Sequence, residues 1–231
     1  MRKMPKKQTY IKKTDLKGQK PWLKKVNASE YKIETVVPNK TILIVCEGQT
    51  EELYFKSFLV STLTVKLFSL GQSKLQLVEN TQRIQQIEQC DEVWCVYDLD
   101  IKLDVANCIP DFDNSIAKAK ELGYNVAYSN DAFELWFYLH YQYTDNENHR
   151  TFYYEQLSKF WGINYEKVGK KWKFCTENYK RLQDDPRADQ KEAINRAEKL
   201  FLAKQELQYH KQNPVTLVYE LVKVLNENLK K

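Results

Sequence analysis

The amino-acid sequence predicts an α/β protein with a largely parallel sheet, flanking helices and a helical extension at its C-terminal end. Short, almost continuously apolar runs such as residues 41–46 (TILIVC) and 92–97 (EVWCVY) are typical of strands that are covered on both faces. Segments with helical spacing of apolar residues separate these runs, and strands that alternate with helices indicate a parallel sheet. Beyond residue 145 the apolar residues follow helical periodicity only, so no further strand is predicted there.

The predicted sheet contains about four strands with flanking helices. Each strand is a short run enriched in β-branched, aromatic or other apolar residues, and each is followed by a polar residue or a glycine. In chain order the predicted strands are residues 41–46, 63–70, 92–97 and 125–128.

Helices are predicted between the strands and throughout the C-terminal part. In the sheet region, one helix follows the first strand, with Thr50 as its possible N-cap, and a second occupies residues 80–90. A third begins after Asp111 or Asp113, either of which can be its N-cap. Residues 132–141 (AFELWFYLHY) are apolar almost all round, which is typical of a helix buried between other elements. The C-terminal helices are predicted at residues 150–161, 176–184, 189–209 and 214–229.

Charge and periodicity divide the chain into three parts. Residues 1–38 form a basic, flexible N-terminal arm, residues 39–145 the α/β domain and residues 146–231 the helical extension. Residues 1–25 hold ten Lys or Arg and one acid, a charge of +9, whereas the remainder of the chain carries −4. Lys and Arg release counterions from phosphates, so the arm predicts a polyanionic partner, although a solvated tail explains the same composition.

Composition excludes several classes of protein. The sequence is 42% hydrophobic and 13% aromatic, which is typical of a globular rather than a disordered chain. Its five cysteines form no CxxC pair, so no zinc site is predicted. No apolar run approaches the ~20 residues of a membrane span, and the basic N-terminus lacks the apolar core of a signal peptide, which predicts a cytoplasmic protein.

Three acidic residues follow predicted core strands. Glu47 comes directly after the first strand, Asp98 comes directly after the third, and Asp100 lies two residues farther along. The carboxyl ends of parallel strands meet at one edge of a sheet, and carboxylates crowded there repel one another until a cation binds. Hard oxygen ligands suit Mg²⁺ or Mn²⁺, so these residues predict a metal site, whereas aspartates that cap a loop explain Asp98 and Asp100 without one.

A second group of polar residues supplements the first. Asn130 and Glu134 are four residues apart, which puts them on one helix face that can point at the same sheet edge. Glu134 is a candidate for metal binding or proton transfer, or it makes a structural hydrogen bond. Gly48 allows a sharp backbone turn, and Glu51 can support the site, although acids favour the first turn of any helix. His140 is predicted to be a packed core histidine.

Residues 150–181 combine basic and aromatic side chains. Eight Lys or Arg stand against three acids, and aromatic residues are interleaved among them. This pattern fits phosphate contacts together with base stacking, although a solvated helix face with aromatics packed inward explains it as well. The predicted nucleic-acid-binding residues are Lys170, Lys171, Trp172, Lys173 and Arg181.

Four sequence blocks, in one order from about residue 42 to 225, resemble a known family. IVCEGQTEELYF, VWCVYDLD, SNDAFELWFYLHY and NPVTLVYELV resemble the RloB-like family of bacterial defence proteins. Within them, Glu-Gly-x-Thr-Glu and the later Asp-x-Asp resemble the Toprim domain. The family's Ser-Asn-Pro-x-Phe-Glu-Leu-Trp block differs here at Asp131 and Ala132 but retains Asn130 and Glu134.

The resemblance implies a Toprim-like Rossmannoid sheet and a Mg²⁺-dependent nuclease that acts in anti-phage defence by abortive infection. It implies that Glu47 acts as general acid or base or binds the metal, and that Asp98 and Asp100 coordinate Mg²⁺. Water is the simpler nucleophile, because no nucleophilic tyrosine is identifiable. The implied partner is DNA or RNA, while partner defence proteins and a homo-oligomer remain open.

Two other functions fit the same residues. VWCVYDLD also resembles the Asp-x-Asp strand of haloacid dehalogenase-type phosphatases, whose first Asp is a nucleophile. That motif usually opens its fold, however, and has Thr or Val where this chain has Lys102. A non-catalytic module that binds nucleic acid or a partner, with the acids holding a structural ion, is the other alternative.

Overall fold

A five-stranded sheet organises the fold. The computed structural model describes residues 39–100 and 107–230, so the predicted basic arm at residues 1–38 and Lys102 lie outside the described residues. The strands lie in the order β2-β1-β3-β4-β5, parallel from β2 to β4, with β5 antiparallel to β4. They are β1 (Lys40–Cys46), β2 (Leu63–Ser69), β3 (Glu92–Asp98), β4 (Asn125–Asn130) and β5 (Val215–Thr216). The predicted α/β class with a largely parallel sheet is confirmed.

Helices follow the strands and then occupy most of the C-terminal part. Residues 150–161 were predicted as a helix and form one, whereas the helix predicted at 80–90 begins earlier, at Lys74. None of the helices in the described ranges is long and apolar enough to cross a membrane. The helices are α1 (Gln49–Lys56), α2 (Lys74–Glu88), α3 (Cys108–Glu121), α4 (Glu134–Leu139), α5 (Arg150–Trp161), α6 (Tyr165–Val168), α7 (Trp172–Cys175), α8 (Asn178–Asp184), α9 (Gln190–Lys204) and α10 (Val218–Glu227), with a 3-10 turn at Tyr209–Lys211.

The strand β5 shows that the prediction of no strand beyond residue 145 is wrong. Its two residues pair with the C-terminal end of β4, and the hydroxyl oxygens of Ser129 and Thr216 lie 2.8 Å apart across the pair. Two residues are too few to show an alternation of apolar and polar side chains, so periodicity cannot reveal this strand. The helix predicted from residue 214 accordingly begins only at Val218.

The N-caps predicted for two helices are also wrong. Thr50 lies inside α1, and α3 begins at Cys108, before both of its predicted caps. Asp111 instead accepts hydrogen bonds from the backbone N–H groups of Lys74 and Leu75, at 3.0 and 3.2 Å, and so caps α2. A capping residue that comes from another element leaves no local pattern in the sequence.

The core includes the inner strands of the sheet and the helix α4, which packs against β4 and β5. Residues 42–46 of β1 are fully buried, and every residue of α4 is buried, as its apolar sequence predicts. Trp136 of α4 donates a hydrogen bond from its indole nitrogen to the Tyr54 hydroxyl of α1 at 2.8 Å. This hydrogen bond fixes α1, which follows β1, against α4, which follows β4.

His140 follows α4 and gives the fold a pH dependence. It is 2% exposed, and its Nδ1 lies 2.9 Å from the Trp136 carbonyl oxygen, which makes it the packed histidine that was predicted. Burial lowers the pKa of His140 to about 4. The unfolded chain therefore binds a proton at a higher pH than the folded protein does, so the stability from this residue is complete above pH ~6.5 and is lost toward pH 4.

We expect His140→Gln to reduce the fall in the free energy of unfolding as the pH is lowered. In the parent, this residue should lower the free energy of unfolding by about 3 kcal/mol between pH 7 and pH 4, from the size of the pKa shift. Glutamine keeps an N–H donor for the Trp136 carbonyl but does not titrate. Urea unfolding of both proteins across this pH range measures the effect, and parallel curves would show that His140 does not cause the pH dependence.

Candidate metal centre

Three of the predicted acids meet at the C-terminal edge of the sheet. Glu47 directly follows β1, Asp98 ends β3, and Asp100 lies two residues farther along. The Glu47 N–H donates to the Val96 carbonyl at 2.8 Å, which extends the β1–β3 pairing and brings Glu47 to the end of β3. One carboxylate oxygen from each of the three acids lies within 4.8 Å of the other two. The structure therefore contains a carboxylate triad that could hold a metal ion.

Lys74 holds one oxygen of Glu47 and leaves the other without a partner. The Lys74 Nζ lies 3.2 Å from Glu47 Oε1, and the lysine side chain is almost completely buried. Glu47 Oε2 is also buried, and no group among the described residues forms a hydrogen bond with it. Burial raises the pKa of Glu47, whereas Lys74 counteracts this effect. A buried acceptor of this kind requires an explanation, and a bound cation would supply one.

Arg150, the first residue of α5, holds the acids on the opposite side of the triad. Its Nη1 lies 2.5 Å from Asp100 Oδ1, and its Nη2 lies 3.2 Å from Asp131 Oδ1. Asp100 has a left-handed backbone, with φ of 48°, and its N–H donates to the Asp131 carbonyl at 3.1 Å. The guanidinium and this backbone contact together fix the loop after β3 to the residue that follows β4.

Asp98 lies between these two ion pairs. Its Oδ2 accepts a hydrogen bond from the Phe133 N–H at 3.2 Å. Burial raises the pKa of Asp98 well above its ordinary value, Glu47 and Glu51 raise it further, and Arg150 partly counteracts them. An additional cation beside Asp98 would favour the charged form of this carboxyl.

Two buried glutamates extend the acidic cluster beyond the triad. Glu51 of α1 is 7% exposed and Glu134 of α4 is 2% exposed. Burial raises the pKa of Glu51 to about 7, and the neighbouring Glu134 and Glu47 raise it too. Glu134 Oε1 accepts a hydrogen bond from the Tyr165 hydroxyl at 3.0 Å and lies 3.7 Å from Lys170 Nζ. Both predicted accessory glutamates therefore lie close to the triad.

The charges of this site favour the binding of a divalent cation. Six carboxylates stand against three cationic side chains, a formal excess of three negative charges when every group is ionised. The triad offers only hard oxygen donors, which suit Mg²⁺ or Mn²⁺ better than softer metals. The carboxylates are Glu47, Glu51, Asp98, Asp100, Asp131 and Glu134, and the cations are Lys74, Arg150 and Lys170.

An open cleft of about 700 Å³ adjoins the triad. Glu47, Lys74 and Asp100 line it from the sheet edge. The start of α2 and the start of α3 form its other walls, so Glu47 and Asp100 of the triad face a space large enough for a bound molecule. The remaining lining residues are Gly71, Gln72, Ser73, Asn107, Cys108 and Asp111.

Gly48 makes room for Glu51. Its φ of −123° is open to any residue, so the chain does not use here the conformational freedom that glycine offers for a sharp turn. A Cβ at this position would lie only 2.7 Å from Glu51 Oε2. The absence of a side chain therefore leaves room for the carboxylate that packs over Gly48, a contact that no local sequence pattern reveals.

We expect Gly48→Ala to fold normally but to displace the Glu51 carboxylate. The contact involves the far end of a flexible side chain, so the backbone need not move. If the site is catalytic, the loss of a positioned carboxylate should lower kcat by about 10- to 100-fold, within the range for one acid–base group. Glu51→Gln should have a similar effect, and the double variant should be no worse than either single one, because both remove the same group. Additive losses in kcat would show that Gly48 acts independently of Glu51.

Asn130 does not lie on a helix face with Glu134, so that prediction is wrong. Asn130 ends β4, whereas Glu134 begins α4. The Asn130 side-chain amide donates to the carbonyl oxygens of Tyr209 and His210, at 3.2 and 2.9 Å. It holds the 3-10 turn against the sheet, while the acids occupy the neighbouring strand end.

The predicted nucleic-acid-binding residues fall into two groups. Lys170, Lys171, Trp172 and Lys173 are exposed. The Arg181 guanidinium instead stacks on the ring of Phe174, 3.8 Å from its centroid, and donates to the Asn178 side chain at 2.9 Å. Arg181 thus contributes to packing in this structure, and its role in binding stays a prediction.

Sequence reasoning missed the cations Lys74 and Arg150, and of the two only Arg150 begins a helix that the sequence predicts, at residues 150–161. Each is the first residue of its helix. A positive charge is unfavourable at a helix N-terminus, where the dipole already places positive partial charge. A cation at that position therefore indicates that an acid from elsewhere compensates it, as Glu47 does for Lys74 and Asp100 does for Arg150.

Comparisons with known proteins show which family the chain belongs to. A family model described as RloB-like protein matches residues 42–225. Among solved structures, the crystal structure of the lipase/acylhydrolase from Enterococcus faecalis is 14% identical, with 83% of this chain and 97% of that chain covered. Its TM-score is 0.32, which is too low for the likeness to support a conclusion about fold or activity. A search of curated proteins found no match.

Proposed function

Because the chain belongs to the RloB-like protein family, we propose that it is a metal-dependent nuclease that hydrolyses phosphodiesters of DNA or RNA. The observation that carries the proposal is the convergence of Glu47, Asp98 and Asp100 to within 4.8 Å beside an open cleft. The buried, unpartnered Glu47 Oε2 and the surplus of negative charge support a divalent cation at this position. We propose Mg²⁺ or Mn²⁺, because the triad consists of carboxylates only.

In this proposal the triad holds the cation and nearby residues position the substrate. A divalent cation bound by the triad would neutralise charge on the phosphate and polarise the phosphorus toward attack by water. Lys74 and Arg150 keep Glu47 and Asp100 in place through their ion pairs. Glu51, whose pKa burial raises to about 7, can accept or release a proton near neutral pH. Lys170 provides a half-exposed positive charge beside Glu134.

The cellular role is also part of the proposal. The RloB-like family model spans the blocks that carry Glu47, Asp98 and Glu134, and we propose that this member takes part in anti-phage defence by cleaving nucleic acid. Other defence proteins and a second copy of the chain are proposed as partners, and neither is required by the residues of the site.

Cleavage assays with defined nucleic acids test the proposal. The purified protein is incubated with duplex DNA, single-stranded DNA, single-stranded RNA and transfer RNA, each in Mg²⁺, in Mn²⁺ and in EDTA. Cleavage that needs the metal supports the nuclease. Binding that persists in EDTA, without cleavage in any metal, would instead favour the non-catalytic module. Turnover of a chromogenic phosphate ester with no cleavage of nucleic acid would favour the phosphatase.

A further inference from the structure

The segment from Tyr165 to Cys175 is fastened to the elements that carry the acids. The Tyr165 hydroxyl donates to Glu134 at 3.0 Å, and Cys175 Sγ lies 3.6 Å from the Thr50 hydroxyl in α1. Lys170, between the two ends, lies 3.7 Å from Glu134. Three contacts therefore hold this 165–175 segment next to the acidic cluster.

Trp172 differs from the other aromatic residues in this part of the chain. The rings of Trp161, Tyr165 and Phe174 pack on one another, with centroids 5.6 to 6.3 Å apart. Trp172 is 62% exposed, and none of the ring contacts among the described residues involves it. Packing in the interior explains the aromatic residues at positions 161, 165 and 174, whereas folding gives no reason for an exposed indole at position 172.

The surface around Trp172 is basic. Four exposed lysines, at positions 167, 170, 171 and 173, stand against two exposed glutamates, at positions 166 and 177. Trp172 is only two residues from Lys170, so their Cα atoms are at most about 7 Å apart. An exposed indole, four exposed lysines and the acidic cluster therefore occupy one neighbourhood.

We propose that the 165–175 segment binds single-stranded nucleic acid, with the Trp172 indole stacked on an unpaired base and Lys171 and Lys173 at the adjacent phosphates. The inference rests on the proposed function, and it specifies the substrate class of the same site. Every base has a π-face that an indole can cover, but a duplex hides those faces between its base pairs. Lysines next to an exposed aromatic residue match the charged backbone and the flat bases of a single strand.

Equilibrium binding in EDTA tests the inference without any need for cleavage. Labelled single-stranded DNA, single-stranded RNA and a duplex of the same sequence are titrated with protein, and Kd is read from fluorescence anisotropy. We expect either single strand to bind at least about 10-fold more tightly than the duplex, and Trp172→Ala to weaken single-strand binding about 10-fold, a typical loss for one stacked base. Trp172→Phe should retain most of the affinity. Leu202→Ala removes another exposed apolar side chain, 60% exposed, and should change nothing.

The outcomes separate this inference from the proposed function. Duplex bound as tightly as single strand, or Trp172→Ala that binds like the parent, would overturn the inference even if metal-dependent cleavage of duplex DNA is observed. Single-strand binding that depends on Trp172 would support it even if no metal gives cleavage, in which case the nuclease proposal fails alone. Thermal unfolding of each variant checks that the fold is intact, and the DNA and RNA arms show which sugar is preferred.

Discussion

Asp98→Asn is expected to abolish metal-dependent cleavage while leaving the fold intact. The change removes one of three charges that converge within 4.8 Å, so the affinity for a divalent cation should fall and kcat should drop by at least about 100-fold. Asparagine keeps an oxygen that can accept the Phe133 N–H. Because burial raises the pKa of Asp98 well above its ordinary value, a neutral residue should cost the metal-free protein no stability.

Two readouts make this test specific. In the parent, Mg²⁺ at about 100 times its Kd should stabilise the folded state by about 3 kcal/mol, seen as a rise in Tm, and the variant should lose this rise. Asp184→Asn, at an exposed position in α8, is the matched control and should keep both cleavage and the rise in Tm. A variant of Asp98 that cuts nucleic acid as fast as the parent would end the nuclease proposal.

Arg150→Ala is expected to destabilise the folded protein by about 3 to 5 kcal/mol, the usual cost of removing one partner from a buried ion pair. Asp131 is 1% exposed and lies 3.2 Å from the guanidinium, and Asp100 pairs with the same group. Two acids would lose their shared cation in a site that already has a surplus of negative charge. Urea unfolding at pH 7 measures the change.

Related variants distinguish charge from packing. Arg150→Lys should recover only part of the stability, because one ammonium cannot reproduce the forked contacts of a guanidinium with two acids. Adding Asp131→Asn to Arg150→Ala should recover part of it as well, since the second change removes a buried charge. A loss below about 1 kcal/mol for Arg150→Ala would mean that the pair behaves like a surface salt bridge.

The sequence alone is sufficient to predict that acids meet at the sheet edge, because strong local signals define the strands that end there. The apolar runs of β1 and β3 predict buried parallel strands, and Glu47 and Asp98 follow them directly, so their meeting depends only on the topology of parallel strands. The helix α4 is predicted for the same reason, since an apolar sequence on every side leaves only a buried position for it.

The remaining parts of the site depend on contacts between distant elements. Lys74 meets Glu47 because α2 begins there, and Asp111 caps α2 from the next helix. The triplet Ser129-Asn130-Asp131 has the composition of a helix cap, yet pairing with β5 keeps its first two residues in the strand. Local propensity cannot decide between these states, because the partner strand lies more than 80 positions away.

The late position of β5 in the chain has a consequence for how the molecule is made. The ribosome delivers β1 to β4 in sequence, and they can pair as they emerge. Residues 215 and 216, which cover the outer side of β4, follow only much later. Until then β4 is a bare strand edge that other nascent chains can add to. A newly synthesised molecule is thus exposed to mispairing while the residues between Asn130 and Val215 are translated, and the two-residue strand removes that hazard when it docks.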